Sequence, residues 1–232
     1  MSESSSHADL LERRRPGLRE RKKRQTRDRI IDVALELCDT QGFEATTVEQ
    51  IADAADVSPR TVNRYFTNKE DIVLAPISDW GEAMADYLRA QPPTDNQMKA
   101  MLDGFVALVD RVIDSDEPVP FRWFQQMQNL IRSSTAVRAR SLDAAETKTQ
   151  HMADVLAERM GVGADSLPVR LLLGTWHAIM RAGTECEAVN ADCVDSARGM
   201  ADAVVGAYHE FVRVCAVPTV SGPTSEAAVS GR

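Results

Sequence analysis

The spacing of apolar residues constrains the fold of this sequence more than any other feature. From residue 24 onward they recur every three or four positions, which places them on one face of an α-helix. A half-buried strand needs strict alternation instead, and no run of alternating β-branched residues is long enough to form one. Glycine and proline residues divide the pattern into about nine segments of helical length. The sequence therefore predicts an all-α fold of about nine helices.

Cap signals mark helix ends in the first part of the chain. The first helix ends at Gly42, because glycine is favoured just after a helix. Thr47 with Gln50 has the capping-box pattern that starts a second helix, and Ser58 followed by Pro59 starts a third. A second capping-box pair starts the fourth helix: Thr67 and Glu70. A short helix, a turn and another short helix after a longer one form the helix-turn-helix arrangement.

The third helix, which runs to about Phe66, carries side chains that suit contact with DNA. Val57, Val62 and Phe66 are spaced to pack inward, which leaves the exposed side to Pro59, Arg60, Asn63 and Arg64. Arginine bonds guanine and asparagine bonds adenine through paired hydrogen bonds. Side chains with donors for phosphate lie nearby: Thr47, Thr61, Tyr65 and Lys69. Each one alone fits a solvated helix face, but their convergence on one short helix favours DNA.

Residues Thr46 to Val73 resemble the signature of the TetR/AcrR family of bacterial transcriptional regulators. The matching pairs, in order, are Ile51-Ala52, Val57-Ser58, Thr61-Val62, Tyr65-Phe66 and Lys69-Glu70. The resemblance implies base contacts from Pro59, Arg60 and Asn63, and phosphate contacts from Thr47, Thr61, Arg64, Tyr65 and Lys69. Asp56 stands where the family usually has glycine. Because aspartate tolerates a left-handed conformation better than most residues, we expect the turn to survive. Asn63 and Arg64 also depart from the family, so the operator sequence does not carry over.

Charge is distributed unevenly along the chain. The net charge is −8, yet residues 13–29 hold ten basic and two acidic residues, whereas residues 71–232 hold fourteen basic and twenty-two acidic ones. Affinity for DNA is therefore expected to be local. The basic arm consists of Arg13, Arg14, Arg15, Arg19, Arg21, Lys22, Lys23 and Arg24. It either reaches the DNA backbone or minor groove, or is a solvated tail.

The resemblance also implies a twofold dimer and an effector pocket in the C-terminal helices. The residues expected at the dimer interface are Met180, Val204, Tyr208, Phe211 and Val212, which otherwise belong to the protomer's own core. The residues expected in an apolar pocket for a moderately hydrophobic small molecule are Met84, Met101, Phe105, Trp123, Phe124, Met127, Trp176 and His177. The alternative for this second group is ordinary packed core, and for His177 a hydrogen-bonded core position.

Four parts are expected in chain order. They are a basic, disordered arm at 1–23, a helix-turn-helix DNA-binding domain at 24–70, a ligand-binding and dimerisation bundle at 71–216, and a disordered tail at 217–232. Pro76 lies early in the bundle, where it either kinks a helix or marks its first turn. The sequence thus predicts a transcriptional regulator, by family default a repressor, that binds a palindromic DNA operator as a homodimer and is released by a small apolar effector.

Other classes of protein are disfavoured. No P-loop, GxSxG or GxGxxG motif and no Glu-x-x-His pair occurs, so we expect no enzyme, cofactor or metal. No apolar run approaches the ~20 residues of a membrane span, which indicates a cytoplasmic protein. The cysteines are Cys38, Cys186, Cys193 and Cys215; they are reduced thiols, or Cys186 and Cys193 form a bridge. The alternative function is a DNA-binding regulator without a small-molecule effector, controlled by a protein partner or by cysteine oxidation.

Overall fold

The computed structural model describes residues 17–147, 150–184 and 196–215. These ranges contain eleven α-helices and no strand, which confirms the all-α prediction. In chain order the helices are α1 (Leu18–Gln41), α2 (Val48–Ala54), α3 (Pro59–Tyr65), α4 (Lys69–Val73), α5 (Ala75–Ala90), α6 (Gln97–Ser115), α7 (Phe121–Ser133), α8 (Thr135–Thr147), α9 (Gln150–Met160), α10 (Leu167–Thr184) and α11 (Ala197–Cys215). The count exceeds nine because two predicted helices are each divided, into α4 with α5 and α8 with α9.

Proline explains the first division. Pro76 lies in the first turn of α5, so it marks a helix start and does not kink a continuous helix. Leu74 joins the two helices with φ −96° and ψ 4°. The predicted capping box at the start of α4 is wrong. Asn68 caps α4 instead, its Oδ1 accepting a hydrogen bond from the backbone N–H of Asp71 at 2.8 Å, because asparagine is a stronger cap than threonine.

The other cap predictions are confirmed. The Thr47 hydroxyl accepts a hydrogen bond from the N–H of Gln50 at 3.2 Å, and the Gln50 side chain accepts one from the N–H of Thr47 at 3.0 Å. Ser58 caps α3 by accepting a hydrogen bond from the N–H of Thr61 at 3.1 Å, with Pro59 as the first helical residue. Gly42 ends α1 with φ +88°.

Helix α1 starts at Leu18, about six residues earlier than expected. The apolar pattern begins only at Ile30, but arginine and lysine are good helix formers and extend the helix toward the N-terminus without an apolar face. Arg19, Arg21 and Arg24 therefore lie on helix and not on a disordered arm. Arg13, Arg14 and Arg15 of the predicted arm, and the predicted tail at 217–232, lie outside the described residues.

Two hydrophobic cores hold the helices together. The larger is built from α5, α6, α9, α10 and α11 and contains Phe105, Leu156 and Val204 among its fully buried side chains. The other is built from α1–α4 and reaches past the expected boundary at residue 70, to Ala75. It is completed by residues much further along the chain, on or next to α7 and α8: Val119, Trp123, Met127, Leu130 and Val137. Both α1 and α4 therefore pack on helices from the C-terminal half of the chain.

Candidate DNA-binding surface and ligand cavity

The turn between α2 and α3 is closed by backbone hydrogen bonds around a left-handed residue. Asp56 has φ +57°, the conformation for which glycine is usual, so the turn survives the substitution. The N–H of Val57 donates to the carbonyl of Ala52 at 3.0 Å, and the N–H of Asp56 to that of Asp53 at 3.1 Å. This pair of bonds is the Schellman motif, which satisfies the last carbonyls of α2 and directs the chain into α3.

Arg29 fixes this turn to α1. Its Nε donates to the carbonyl of Ala55 at 3.1 Å and its Nη2 to that of Ala54 at 3.3 Å. A cation at the C-terminus of a helix also interacts favourably with the helix dipole. Although Arg29 belongs to the basic run of the sequence, its guanidinium is thus engaged in holding the helix-turn-helix unit together.

Helix α3 buries one face and leaves its polar face in solvent. Val62 and Phe66 are buried against the N-terminal core and Val57 is half-buried, as their spacing predicts. The exposed residues of the helix are Pro59, Arg60, Asn63 and Arg64. Seven residues give the helix a length of about 10 Å, which suits insertion into a major groove. Contact of Arg60 and Asn63 with base edges stays a prediction.

The residues predicted to contact phosphate fall into two groups. Thr47 is exposed, Thr61 and Tyr65 are half-buried, and the guanidinium of exposed Arg64 lies 5.2 Å from the Tyr65 ring centroid. Lys69 is different. Its Nζ donates to the carbonyl of Phe43 at 2.5 Å and to that of Thr46 at 2.6 Å, and lies 4.1 Å from the Phe43 ring centroid. Lys69 is therefore a structural residue that holds the loop between α1 and α2.

Basic residues continue along the first turns of α1. Arg19, Arg21, Lys22, Lys23 and Arg24 are all exposed. They lie on the N-terminal turns of the helix whose C-terminal part packs in the core of the helix-turn-helix unit, so their charge is carried on a helix and not on an irregular arm. Whether they contact DNA stays a prediction.

A cavity of about 470 Å³ lies in the bundle, walled mainly by α5, α6, α7 and α10. Its aromatic lining residues are Trp80, Phe105, Phe121, Phe124 and Trp176, and its methionines are Met84, Met127, Met152, Met180 and Met200. The rings of Trp80 and Phe105 are 5.7 Å apart, and those of Phe121 and Phe124 are stacked at 6.0 Å. Polar lining residues include Gln128, His177 and Arg181. The volume and the apolar wall are typical of a small-molecule site.

Six of the eight residues predicted for a pocket line this cavity: Met84, Phe105, Phe124, Met127, Trp176 and His177. Met101 and Trp123 do not. Met101 is fully buried in the core of the bundle. Trp123 packs in the N-terminal core, and its Nε1 donates to Asp32 Oδ1 at 2.7 Å. Trp123 and Phe124 are neighbours, but one residue is a rotation of about 100° on a helix, so Trp123 is buried in the N-terminal core while Phe124 packs against both cores and lines the cavity.

Most residues predicted for the dimer interface lie inside a single protomer and are not available to a partner. Val204 and Tyr208 are buried in the core of the bundle, and Met180 lines the cavity. Phe211 is half-buried, and only Val212 is exposed. These residues do recur at helical spacing, but the spacing alone does not show which face of each helix packs on the protomer's own core. The apolar residues that α10 leaves in solvent are Leu167, 65% exposed, and Leu171, 59% exposed.

The described cysteines are isolated thiols. Cys38 is buried among α1–α4, and burial raises the pKa of its thiol, whereas Cys215 is exposed at the end of α11. Cys186 and Cys193, the possible bridge, lie outside the described residues. Within residues 17–147, 150–184 and 196–215, no group of histidine, cysteine and carboxylate side chains is arranged to hold a metal ion. None of the helices in the same ranges has the length and apolar character needed to cross a membrane.

A helix-turn-helix with an exposed recognition helix, joined to a helical bundle, defines a DNA-binding transcriptional regulator. Residues 30–75 match the family described as bacterial regulatory proteins of the tetR family, and residues 95–213 match the MftR C-terminal domain. The chain is 38% identical over 186 residues to the HTH-type transcriptional regulator TcmR of Streptomyces glaucescens, covering 75% of this chain and 82% of TcmR. The protein belongs to the TetR family, whose members are transcriptional regulators and not enzymes.

Two further similarities agree with this assignment. The N-terminal part is 44% identical over 55 residues to the uncharacterised regulator YvkB of Bacillus subtilis, which covers 24% of this chain and 29% of YvkB. The fold is similar to that of FadR from Thermus thermophilus, a TetR-family repressor solved in complex with lauroyl-CoA. The TM-score is 0.50 and the identity 21%, over 85% of this chain and 98% of FadR.

Proposed function

We propose that this regulator is a cytoplasmic repressor that binds a palindromic operator as a homodimer and is released by a moderately hydrophobic small molecule. The observation that carries the proposal is the position of α7. Phe124 on this helix lines the cavity, whereas Trp123 packs in the core beneath the helix-turn-helix unit. A ligand that shifts α7 therefore acts directly on the support of the DNA-binding helices.

Sequence reading is assigned to α3. Pro59, Arg60 and Asn63 are exposed on one helix, and positions three and four residues apart share a face. This face is suited to base edges because arginine and asparagine form paired hydrogen bonds with guanine and adenine. Phosphate contacts are assigned to Thr47, Thr61, Arg64 and Tyr65; Lys69 is omitted because backbone carbonyls already engage its Nζ.

The dimer interface is assigned to the outer face of α10, with Val212 of α11. Leu167 and Leu171 lie four residues apart on this helix, so together they form a continuous exposed apolar surface. A second copy of the chain would cover this surface, and a twofold arrangement would present two α3 helices to successive turns of the operator.

The effector is assigned to the cavity. Aromatic and methionine side chains favour an apolar body, and Gln128, His177 and Arg181 offer polar groups to a ligand that carries a polar substituent. FadR, a protein of the same fold, holds lauroyl-CoA, which supports a bundle of this kind as a site for a large, partly apolar molecule. Release follows if the ligand binds more tightly to the conformation with lower DNA affinity.

The test begins with selection of DNA from a random-sequence pool by the full-length protein. A palindromic sequence is expected, bound by two chains in analytical ultracentrifugation. Lipophilic compounds are then screened for a rise in melting temperature, and those that raise it should also weaken binding to the selected DNA. A selected site without twofold symmetry would contradict the dimer. An absence of stabilising compounds, with DNA binding that changes on oxidation, would favour control through thiols.

A further inference from the structure

Arg27 joins α1 to the cavity wall. Its Nη1 and Nη2 donate to the two carboxylate oxygens of Asp79 on α5, each at 2.8 Å. Arg27 and Asp79 are largely shielded from solvent, with side-chain exposures of 28% and 21%. A paired, partly buried arginine–carboxylate contact has a defined geometry, unlike most exposed ion pairs. Asp79 is followed directly by Trp80, which lines the cavity.

The same guanidinium reaches the recognition helix. Its Cζ lies 5.7 Å from the ring centroid of Phe66. Phe66 is the C-terminal cap residue of α3, and its own N–H donates to the carbonyl of Val62 at 3.0 Å. Arginine is suited to this position because its planar group can bond a carboxylate with its edge and lie over an aromatic ring with its face.

A second contact anchors α1 to α7, which also lines the cavity. Asp32 lies five residues after Arg27 on α1, and its Oδ1 accepts the hydrogen bond from Trp123 Nε1 and pairs with Arg122. Helix α1 is therefore tied to α7 through Asp32 and to α5 through Arg27. A ligand that moves α5 relative to α7 must strain one of these two contacts.

We infer that Arg27 is a positioning residue through which occupancy of the cavity sets the position of the recognition helix. This inference rests on the proposed function. With Asp79 in place, the guanidinium is held against Phe66 and fixes the end of α3. A ligand that displaces α5 at Trp80 carries Asp79 with it, so α3 loses that constraint. The polar contact with Asp79 and the ring contact with Phe66 thus act as one unit.

The first experiment measures the arrangement without a ligand. Arg27→Lys and Asp79→Asn are compared, in the full-length chain, with the controls Arg89→Lys and Asp86→Asn, which alter an exposed arginine–carboxylate pair within α5. Affinity for the selected operator should fall about tenfold in Arg27→Lys and in Asp79→Asn, and hydrogen exchange of the α3 amides should quicken several-fold. The double variant should be no worse than either single variant, because both remove the same unit. Additive reductions in affinity, or unchanged exchange in α3, would overturn the inference.

The second experiment uses 1-anilinonaphthalene-8-sulfonate as a fluorescent probe of the cavity. Met180→Trp, which narrows the cavity, should reduce its binding. In the natural chain the probe should quicken hydrogen exchange in α3; in Asp79→Asn, where exchange is already fast, it should add little. If the probe quickens exchange in α3 equally in both proteins, or does not quicken it in the natural chain, Arg27 does not couple the cavity to the recognition helix. Failure of the probe to bind would instead count against the proposed apolar effector site.

Discussion

Arg60 lies on the recognition helix and Lys69 begins the helix that follows it; both residues are cationic, but their surroundings differ. Arg60 is exposed on α3, whereas Lys69 donates to two backbone carbonyls of the loop before α2. Sequence reasoning treated both as DNA contacts because charge and proximity to the motif are visible in the sequence. The partners of Lys69 are not, because the carbonyl of Phe43 lies 26 residues earlier and reaches it only through the fold.

Replacement of Lys69 should therefore reduce stability and not DNA recognition. Lys69→Met leaves two carbonyls without their charged donor, and the free energy of unfolding should fall by about 1.5–3 kcal/mol in urea denaturation. The salt dependence of DNA binding should keep its slope, because the same number of phosphates is neutralised. Arg60→Ala is the matched control: it should leave stability unchanged but cost about 1–3 kcal/mol at the selected operator and much less on random DNA. A reduced salt slope in Lys69→Met would return Lys69 to the residues that bind phosphate.

At the scale of helices, close contact between α10 and α11 depends on glycine. A Cβ added at Gly183 would lie 2.7 Å from the Cα of Val204, a backbone atom that can move only if the helix moves. A Cβ added at Gly206 on α11 would meet nothing within 4 Å. The sequence locates both glycines within helices but does not distinguish them, because the difference lies in the neighbouring helix.

These two glycines give opposite expectations on substitution by alanine. Gly183→Ala should lower stability by about 1–3 kcal/mol, because the overpacked helices must separate. In the isolated protomer, Gly206→Ala should raise stability by up to about 1 kcal/mol through its better helix propensity. Thermal unfolding at low protein concentration measures both. Stabilisation by Gly183→Ala would show that α10 and α11 are less tightly packed than described.

The caps of α2 and α3 and the end of α1 were predicted correctly, whereas the start of α1 and the cap of α4 were not. Caps such as Thr47 with Gln50 involve residues three positions apart, so the sequence contains the whole interaction. Orientation was predicted less well. The apolar spacing of α7 and α11 is clear, yet it does not show that Trp123 faces the N-terminal core or that Val204 and Tyr208 face the protomer's own bundle. Those assignments depend on tertiary packing, which helical periodicity does not encode.

Over the whole molecule, charge is separated along the chain. The chain carries a net charge of −8, but the outer part of α1 is strongly basic and exposed. Because screening by salt limits the range of interactions between exposed charges to about 10 Å at 0.1 M salt, only charges near the DNA contribute much to affinity. The sequence predicted this separation from composition alone, whereas the helical conformation of the basic residues required the structure.

Neutral substitutions on α1 should flatten the salt dependence of DNA binding. Glutamine replaces Arg21, Lys22, Lys23 and Arg24, because it keeps helix propensity and removes four charges. The slope of log affinity against log salt should decrease by up to about 0.9 for each phosphate that the protein no longer neutralises. Four exposed arginines of the C-terminal helices, replaced in the same way, provide a control of equal net charge: Arg89, Arg111, Arg132 and Arg198. An equal decrease in both proteins would indicate a net-charge effect and no DNA binding by α1.

The shared core beneath the DNA-binding helices has a consequence for engineering new regulators. Because α7 and α8 supply Trp123, Leu130 and Val137 to that core, a truncation after residue 75 removes part of the apolar surface against which α1 and α4 pack. A chimera that attaches residues 1–75 to a foreign sensor domain would need other side chains to fill this part of the core. Operator preference is therefore better changed by exchanging only the exposed residues of α3, which leaves both cores intact: Pro59, Arg60, Asn63 and Arg64.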